Sequence, residues 1–263
     1  MERAKGLRLA ILMETNLADK TESRLAINIV VLTGAGVSTE SGIPTFRDSN
    51  GLWEGHRVAD VATPEAFRSN PQLVYKFYNE RRAAVNAALP NAAHKALARL
   101  EQACRGEFLI VTQNIDDLHE RAGSRRVLHM HGDLFRARCL ACGRISPARG
   151  PLGPGSTCEQ CNRSGSIRPD VVWFGEHPYG MAAIFAAVDK ADLFLCVGTS
   201  GVVHPAAGIV EEVAKRQSCR MIEINPKKTA ISHFFHQRLR GPASIEVPKV
   251  VDQTIQSLSR VRG

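Results

Sequence analysis

The run Ile29-Val30-Val31-Leu32, with Gly34-Ala35-Gly36-Val37-Ser38-Thr39-Glu40-Ser41-Gly42 close behind it, decides how the rest of the chain is read. Four apolar residues without a polar break describe a strand buried on both faces, and such strands belong to parallel sheets. The glycines mark a tight turn that lets backbone N–H groups approach a phosphate, with a helix N-terminus behind it. The stretch departs from the dehydrogenase fingerprint: Thr39 stands where a third glycine belongs, and no acidic residue clearly closes a second strand about twenty residues on. Taken alone, it also fits a purely structural turn.

Working outward, Phe108-Leu109-Ile110-Val111, Val127-Leu128-His129-Met130-His131, Leu193-Phe194-Leu195-Cys196-Val197 and Met221-Ile222-Glu223-Ile224 read as further strands. Asn91 can cap a helix through Leu100, and another helix spans Pro205 to Arg216. Strands separated by helices imply an α/β fold with a Rossmann-like parallel sheet covered on both faces. The stretch from Cys139 to Arg168 breaks that rhythm, being rich in Gly, Pro, Ser and Cys. It is too poor in large apolar residues to build a core, so a metal is expected to organise it. Cys139-x-x-Cys142 and Cys158-x-x-Cys161, fifteen residues apart, have the spacing of a four-cysteine zinc ribbon. Four thiolates close the metal's shell, which makes the ion structural. The alternative at this spacing is a redox pair or chance. The expected organisation is a first sheet segment over 1–133 with a helical insertion at about 48–90, a zinc ribbon over 134–168, and a second sheet segment over 169–263.

Composition sets the remaining bounds. With 263 residues, 44% of them apolar, the chain can bury a substantial core. A net charge of +8 suits acidic or phosphate-bearing partners, but the basic residues are scattered, without the run that marks a nucleic-acid-binding tail. Cys104, Cys196 and Cys219 stand alone in apolar stretches, a pattern of buried free thiols in a reducing compartment. The apolar run Leu9 to Met13 is too short to span a membrane, and Glu2, Glu14 and Asp19 argue against a transit peptide. A cytoplasmic protein without membrane partners is expected, its first two dozen residues forming a leader helix or arm.

The motifs become specific in combination. The stretch Gly34 to Asp48, including Ile43-Pro44-Thr45-Phe46-Arg47, resembles the NAD⁺ loop of the sirtuin family. Thr112-Gln113-Asn114-Ile115-Asp116-Asp117-Leu118-His119 is similar to the family's second motif, and His131-Gly132 to its catalytic pair. The four cysteines, Pro169 to Glu176, Gly198-Thr199-Ser200 and Glu223-Ile224-Asn225 follow in family order, so the resemblance runs from about Asn28 to Val247. It implies an enzyme that consumes NAD⁺ to remove acyl groups from lysines of proteins or peptides. The products are then free lysine, nicotinamide and O-acyl-ADP-ribose.

Roles follow from the resemblance in the same way. Asn114 and Asp116 resemble the residues holding the ribose and nicotinamide side, and Phe46 the ring that shields the reacting sugar face. The loop from Thr45 to Trp53 resembles a lid over the cofactor. Gln113, Ile115, Gly198, Thr199, Ser200, Asn225, Pro226, Lys227 and Ala243 complete the cofactor-binding set with Gly34, Ala35, Gly36, Ser38 and Gly42. His131 is the base candidate, because an imidazole near its ordinary pKa can accept a proton at neutral pH. His129 and His119 are read as structural.

Val74, Phe77, Tyr78, Arg81, Val85 and Ala88 fall on one helical stripe, which sets Arg81 inside an apolar face and Arg82 at its solvated margin. A guanidinium there needs an anionic partner, and Tyr78 lies one turn away. The Tyr-x-x-Arg pair resembles the sirtuin branch that removes succinyl and malonyl groups; an internal ion pair of Arg81 is the bland alternative. Val171, Val172, Phe174 and Gly175 read as an extended segment, which in the family pairs with substrate backbone. The rivals are a mono-ADP-ribosyltransferase using the same bond cleavage, and a non-catalytic module that binds NAD and zinc.

Overall fold

The computed structural model describes residues 26–45, 52–53 and 55–260. The expected N-terminal arm, and Phe46 and Arg47 of the cofactor loop, lie outside those described residues. In chain order the strands are β1 (Ile29–Thr33), β2 (Leu52–Trp53), β3 (His56–Arg57), β4 (Phe108–Thr112), β5 (Val127–His129) and β6 (Gly132–Cys139). They continue with β7 (Ile145–Pro147), β8 (Ile167–Val171), β9 (Leu193–Val197), β10 (Arg220–Ile224) and β11 (Gln237–Leu239). The α-helices are α1 (Val58–Val61), α2 (Pro64–Ser69), α3 (Pro71–Ala87), α4 (Ala92–Ala103), α5 (Leu118–Arg121), α6 (Met181–Val188), α7 (Ala206–Ala214) and α8 (Ala243–Arg260).

Six parallel strands form the main sheet in the order β11-β10-β9-β1-β4-β5. β1 sits between β4 and β9, with Val31 opposite Ile110 on one side and Leu195 on the other. Its unbroken apolar run is explained by burial on both faces. Ile29 and Val31 enter the core shared with α4 and α8, while Val30 and Leu32 enter the core shared with α6 and α7. Asn91 caps α4 as expected: its side chain accepts the Ala93 N–H at 2.9 Å, and the His94 side chain returns a bond to the Asn91 N–H. The fold is thus an α/β parallel sheet, and no helix among the described residues is long and apolar enough to cross a membrane.

A second, antiparallel sheet, β7-β6-β8, stands apart. The β6–β8 pairing runs from Gly132 opposite Val171 at one end to Cys139 opposite Ile167 at the other. Between the sheets, α1 to α3 cover a third, aromatic core of Phe77, Tyr78, Phe135 and Trp173.

Three expectations are corrected. The strand expected through His131 ends at His129, because the Met130 N–H makes the last bond to the main sheet, at the Thr112 carbonyl, before the chain turns into β6. Gly132 makes that turn at φ 85, where a Cβ would lie 2.1 Å from the Asp170 carbonyl oxygen. Arg82 is not solvated but 2% exposed: its Nε donates to the Leu134 carbonyl at 3.1 Å and its Nη1 to Asn79 at 2.7 Å. Burial lowers its pKa. The segment Val171 to Gly175 leaves its strand at Val171 and turns at Phe174–Gly175, with the Glu176 N–H bonded to the Trp173 carbonyl and Gly175 at φ 91.

Candidate active site

From β1 the chain proceeds outward through β4 and β5 on one side, and from β9 through β10 and β11 on the other. The crevice beyond the carboxyl ends of β1 and β9 is therefore the topological switch point, where open α/β sheets bind ligands. Two glycine loops meet there. Gly36 donates its amide to the Gly198 carbonyl at 2.8 Å and Gly34 to the Val197 carbonyl at 3.0 Å. A Cβ on Gly36 would lie 2.7 Å from the Gly198 Cα, and Gly198 itself has φ 64. Glycine at 36 is thus required by loop-to-loop contact. Val37 and Ser38 also spend their amides within the loop, so exposure of amides does not explain it.

Side chains tie the neighbouring strand ends to this crevice. Gln113 Nε2 donates to Thr199 Oγ1 at 2.9 Å, and Asn225 Nδ2 donates to the Thr199 carbonyl at 2.9 Å. Gly42, Pro44, Thr45 and Ser200 are exposed around it, as are Pro226 and Lys227. Ala243 opens α8 but buries its side chain in the core between α4 and the sheet.

Beneath the first loop lies a buried polar cluster. The Ser38 hydroxyl donates to Asp116 Oδ2 at 3.0 Å and accepts from Asn114 Nδ2 at 3.1 Å. Asp116 also accepts the Leu118 N–H at 3.2 Å; burial raises its pKa against those bonds. The sequence reading missed Asn91 and His94 here. Asn91 Nδ2 donates to the Val37 carbonyl and Ser41 Oγ at 2.8 and 3.0 Å, and His94 Nε2 lies 3.5 Å from Ser38 Oγ. Burial drops the His94 pKa to about 4, which keeps the ring neutral. The one available signal was Asn91 three residues ahead of a polar ring, the spacing of a capping box.

His129 and His131 grip consecutive carbonyls of the loop after β4. His131 Nδ1 lies 3.0 Å from the Gln113 carbonyl oxygen, and His129 Nδ1 3.0 Å from that of Asn114. A carbonyl only accepts, so each Nδ1 carries a proton. His129 Nε2 meets Glu120 at 2.7 Å; burial opposes its charge, but the Glu120 bond holds its pKa up to about 9. His131 Nε2 has no hydrogen-bond partner among the described residues, and burial lowers this ring's pKa. His119, 1% exposed, bonds Thr33 Oγ1 at 3.1 Å inside the fold.

Tyr78 and Arg81 lie in the aromatic core side by side on α3. The Arg81 guanidinium stands 4.5 Å from the Phe77 ring centroid, and Trp53 packs edge-on to both Phe77 and Tyr78. Ile43 and Ile115 reach the same core. Val171 is buried in it, Val172 donates its amide to the His131 carbonyl, and Phe174, 44% exposed, donates its own to the Ala62 carbonyl.

Sγ atoms of Cys139 and Cys161 are 3.7 Å apart, as are those of Cys142 and Cys158, and all four lie within 4.8 Å of one another. A tetrahedral zinc with Zn–S bonds of about 2.3 Å sets sulfurs about 3.8 Å apart, so the cluster fits zinc. Each knuckle ends in a residue of positive φ, Gly143 or Asn162, that folds the second thiolate back.

The chain matches the Sir2 family over residues 34–205. A relative from Bdellovibrio bacteriovorus, an NAD-dependent protein deacylase, is 54% identical over 236 residues, 89% of this chain and 99% of that one. The chain belongs to the Sir2 family. Among solved Sir2 structures, a mutant homologue bound to ADP ribose aligns with TM-score 0.81 at 41% identity, over 88% of this chain and 93% of that chain. A Sir2 homologue in complex with NAD aligns with TM-score 0.78 at 38% identity, over 94% and 97%. In this Sir2 chain the crevice fits a dinucleotide: its glycines let the two loops close on each other, and polar side chains converge on it from three strand ends, Gln113 after β4, Thr199 after β9 and Asn225 after β10. Gly36→Ala should therefore push the two loops apart and lower kcat/KM for NAD⁺ about tenfold or more, with a melting temperature within a few degrees of the parent. An unchanged kcat/KM would show that the close approach does not shape the cofactor site.

Proposed function

We infer that this Sir2-family chain removes acyl groups from protein lysines in an NAD⁺-dependent reaction, and that it takes acyl chains ending in a carboxylate, succinyl and malonyl, as well as acetyl. The observation that carries the reading is the His131 ring beside the switch-point crevice, its Nδ1 tethered and its Nε2 left to act. NAD⁺ supplies, when bound, a ribose carbon made electrophilic by departure of nicotinamide. The remaining work belongs to the chain. Ser38, Asn114 and Asp116 hold one another and present oriented polar groups to the ribose side. The loops from Gly34 to Gly42 and Gly198 to Ser200, with Gln113, Asn225 and Lys227, hold the phosphate and adenosine end. Ile43, Trp53 and Ile115 line the inner side, and the backbone of Ala243 closes the far end. Phe46 and Arg47 belong to this set on the family resemblance alone.

His131, neutral because burial favours the uncharged ring, accepts a proton from a ribose hydroxyl at Nε2. Arg81 binds the acyl carboxylate from α3 and Tyr78 adds its hydroxyl, in an aromatic pocket where a charge-assisted bond is strengthened. Val171, Val172, Phe174 and Gly175 form the substrate rim. The three-part division at 1–133, 134–168 and 169–263 sets this cleft between the large sheet, the ribbon and the helical insertion.

Mass spectrometry of matched succinyl-lysine and acetyl-lysine peptides, with and without NAD⁺, tests the reading. Arg81→Met is expected to lower desuccinylation about a hundredfold and deacetylation only a few-fold. Equal losses from both peptides would remove Arg81 from acyl recognition. Transfer of ADP-ribose to protein without acyl loss would overturn deacylation itself.

A further inference from the structure

Trp173 is 2% exposed in the aromatic core, and its indole Nε1–H donates to the Tyr78 hydroxyl oxygen at 3.0 Å. An indole nitrogen can only donate, whereas a phenol has one proton to give and lone pairs that accept. The direction of this bond is therefore fixed, and the proton of Tyr78 must point elsewhere. Tyr78 is 1% exposed, and among the described residues its hydroxyl has no acceptor for that proton. A buried donor left this way is costly unless a ligand satisfies it.

Trp173 is itself held on three sides. The Arg168 guanidinium lies 3.5 Å from its ring centroid, and Arg168 forks onto Glu176 at 2.6 and 2.8 Å. Glu176 Oε2 accepts the Trp173 backbone N–H at 2.8 Å, and Phe67 packs on the ring at 5.2 Å.

We propose that Trp173 is a positioning residue for acidic acyl chains: by filling a lone pair of Tyr78, it aims the phenol proton at the carboxylate that Arg81 binds. A carboxylate accepts that proton, while the methyl of an acetyl group offers no acceptor, so the aim favours succinyl and malonyl. Burial pushes the Tyr78 pKa well above its ordinary value, which keeps the proton in place. The inference rests on the acidic-acyl reading of Tyr78 and Arg81.

Trp173→Phe keeps a ring against Arg168 and removes the N–H. The readout is the ratio of kcat/KM for matched succinyl and acetyl peptides, measured on the full chain, Trp173→Phe, Tyr78→Phe and the double variant. Trp173→Phe should lower the ratio about fivefold to tenfold, chiefly through KM for the succinyl peptide, and Tyr78→Phe similarly. The double variant should fall no further than Tyr78→Phe alone, because the N–H acts only through that hydroxyl. A folding defect depresses both peptides together and leaves the ratio alone. Should Trp173→Phe not yield folded protein, Glu176→Gln loosens the same ring and should lower the ratio twofold to threefold. A ratio unmoved by Trp173→Phe, or by Glu176→Gln in its place, while Tyr78→Phe or Arg81→Met lowers it overturns the inference alone. A ratio unmoved by Arg81→Met overturns the acidic-acyl reading and this inference with it.

Discussion

His131→Ala lowers NAD⁺-dependent deacylation about a thousandfold, the middle of the range for loss of a general base. The same change barely moves stability. His131 contributes one hydrogen bond to the Gln113 carbonyl, worth about 1 kcal/mol, or a few degrees of melting temperature in a chain this size. Activity and stability thus separate, which a structural histidine could not achieve. His119 is the contrast: 1% exposed and bonded to Thr33, it should lose stability and activity together on replacement.

The pH profile gives a second readout of the same group. A base acts unprotonated, and burial lowers the His131 pKa below its ordinary value near 6.5. The parent enzyme should therefore show kcat/KM rising with pH on the acid side and level by about pH 7, a limb absent from the residual activity of His131→Ala. His129 cannot supply that limb, because Glu120 keeps it charged to a pKa of about 9. A variant that turned over like the parent, or kept the acid limb, would remove His131 from the chemistry.

The strands of the main sheet were legible because burial on both faces leaves runs such as Leu193 to Val197 without a polar break. The cysteine spacing was legible because metal geometry dictates it locally. What escaped depends on contacts distant in sequence. The Val127 to His131 pattern continues past the point where β5 stops, since the stop comes from Gly132 pairing with Val171. A helical stripe ranks positions around α3 but does not show that β6 brings the Leu134 carbonyl over Arg82. His94 and Trp173 carry no periodic signal as polar partners. Their nitrogens matter through Ser38 and Tyr78, which folding alone brings near.

Removing one thiolate, by Cys158→Ala, should cost the ribbon its fold and the enzyme its activity at the same time. The ribbon's own core consists of Ala137, Cys139, Cys158 and Ile167, two of them metal ligands. Burial of so few apolar groups supplies only a few kcal/mol, against about 10–16 kcal/mol for a structural zinc in small peptides. The ribbon does not fold in isolation from the site. β8 leaves it at Ile167 and pairs Val171 with Gly132 beside His131, and the chain runs on past the strand's end to Trp173 in the aromatic core. Loss of the metal therefore loosens the His131 turn and the substrate rim through one strand. Metal analysis of the parent should find about one zinc per chain, and Cys158→Ala or a strong chelator should remove it. The melting temperature should drop by about 10 °C or more, with deacylation lost in parallel. A redox pair would behave otherwise, tolerating chelators and responding to reductant; the sulfurs stand 3.7 Å apart, well beyond the roughly 2.05 Å of a disulfide. A Cys158→Ala chain that melted and turned over like the parent would show that the ribbon folds without its metal.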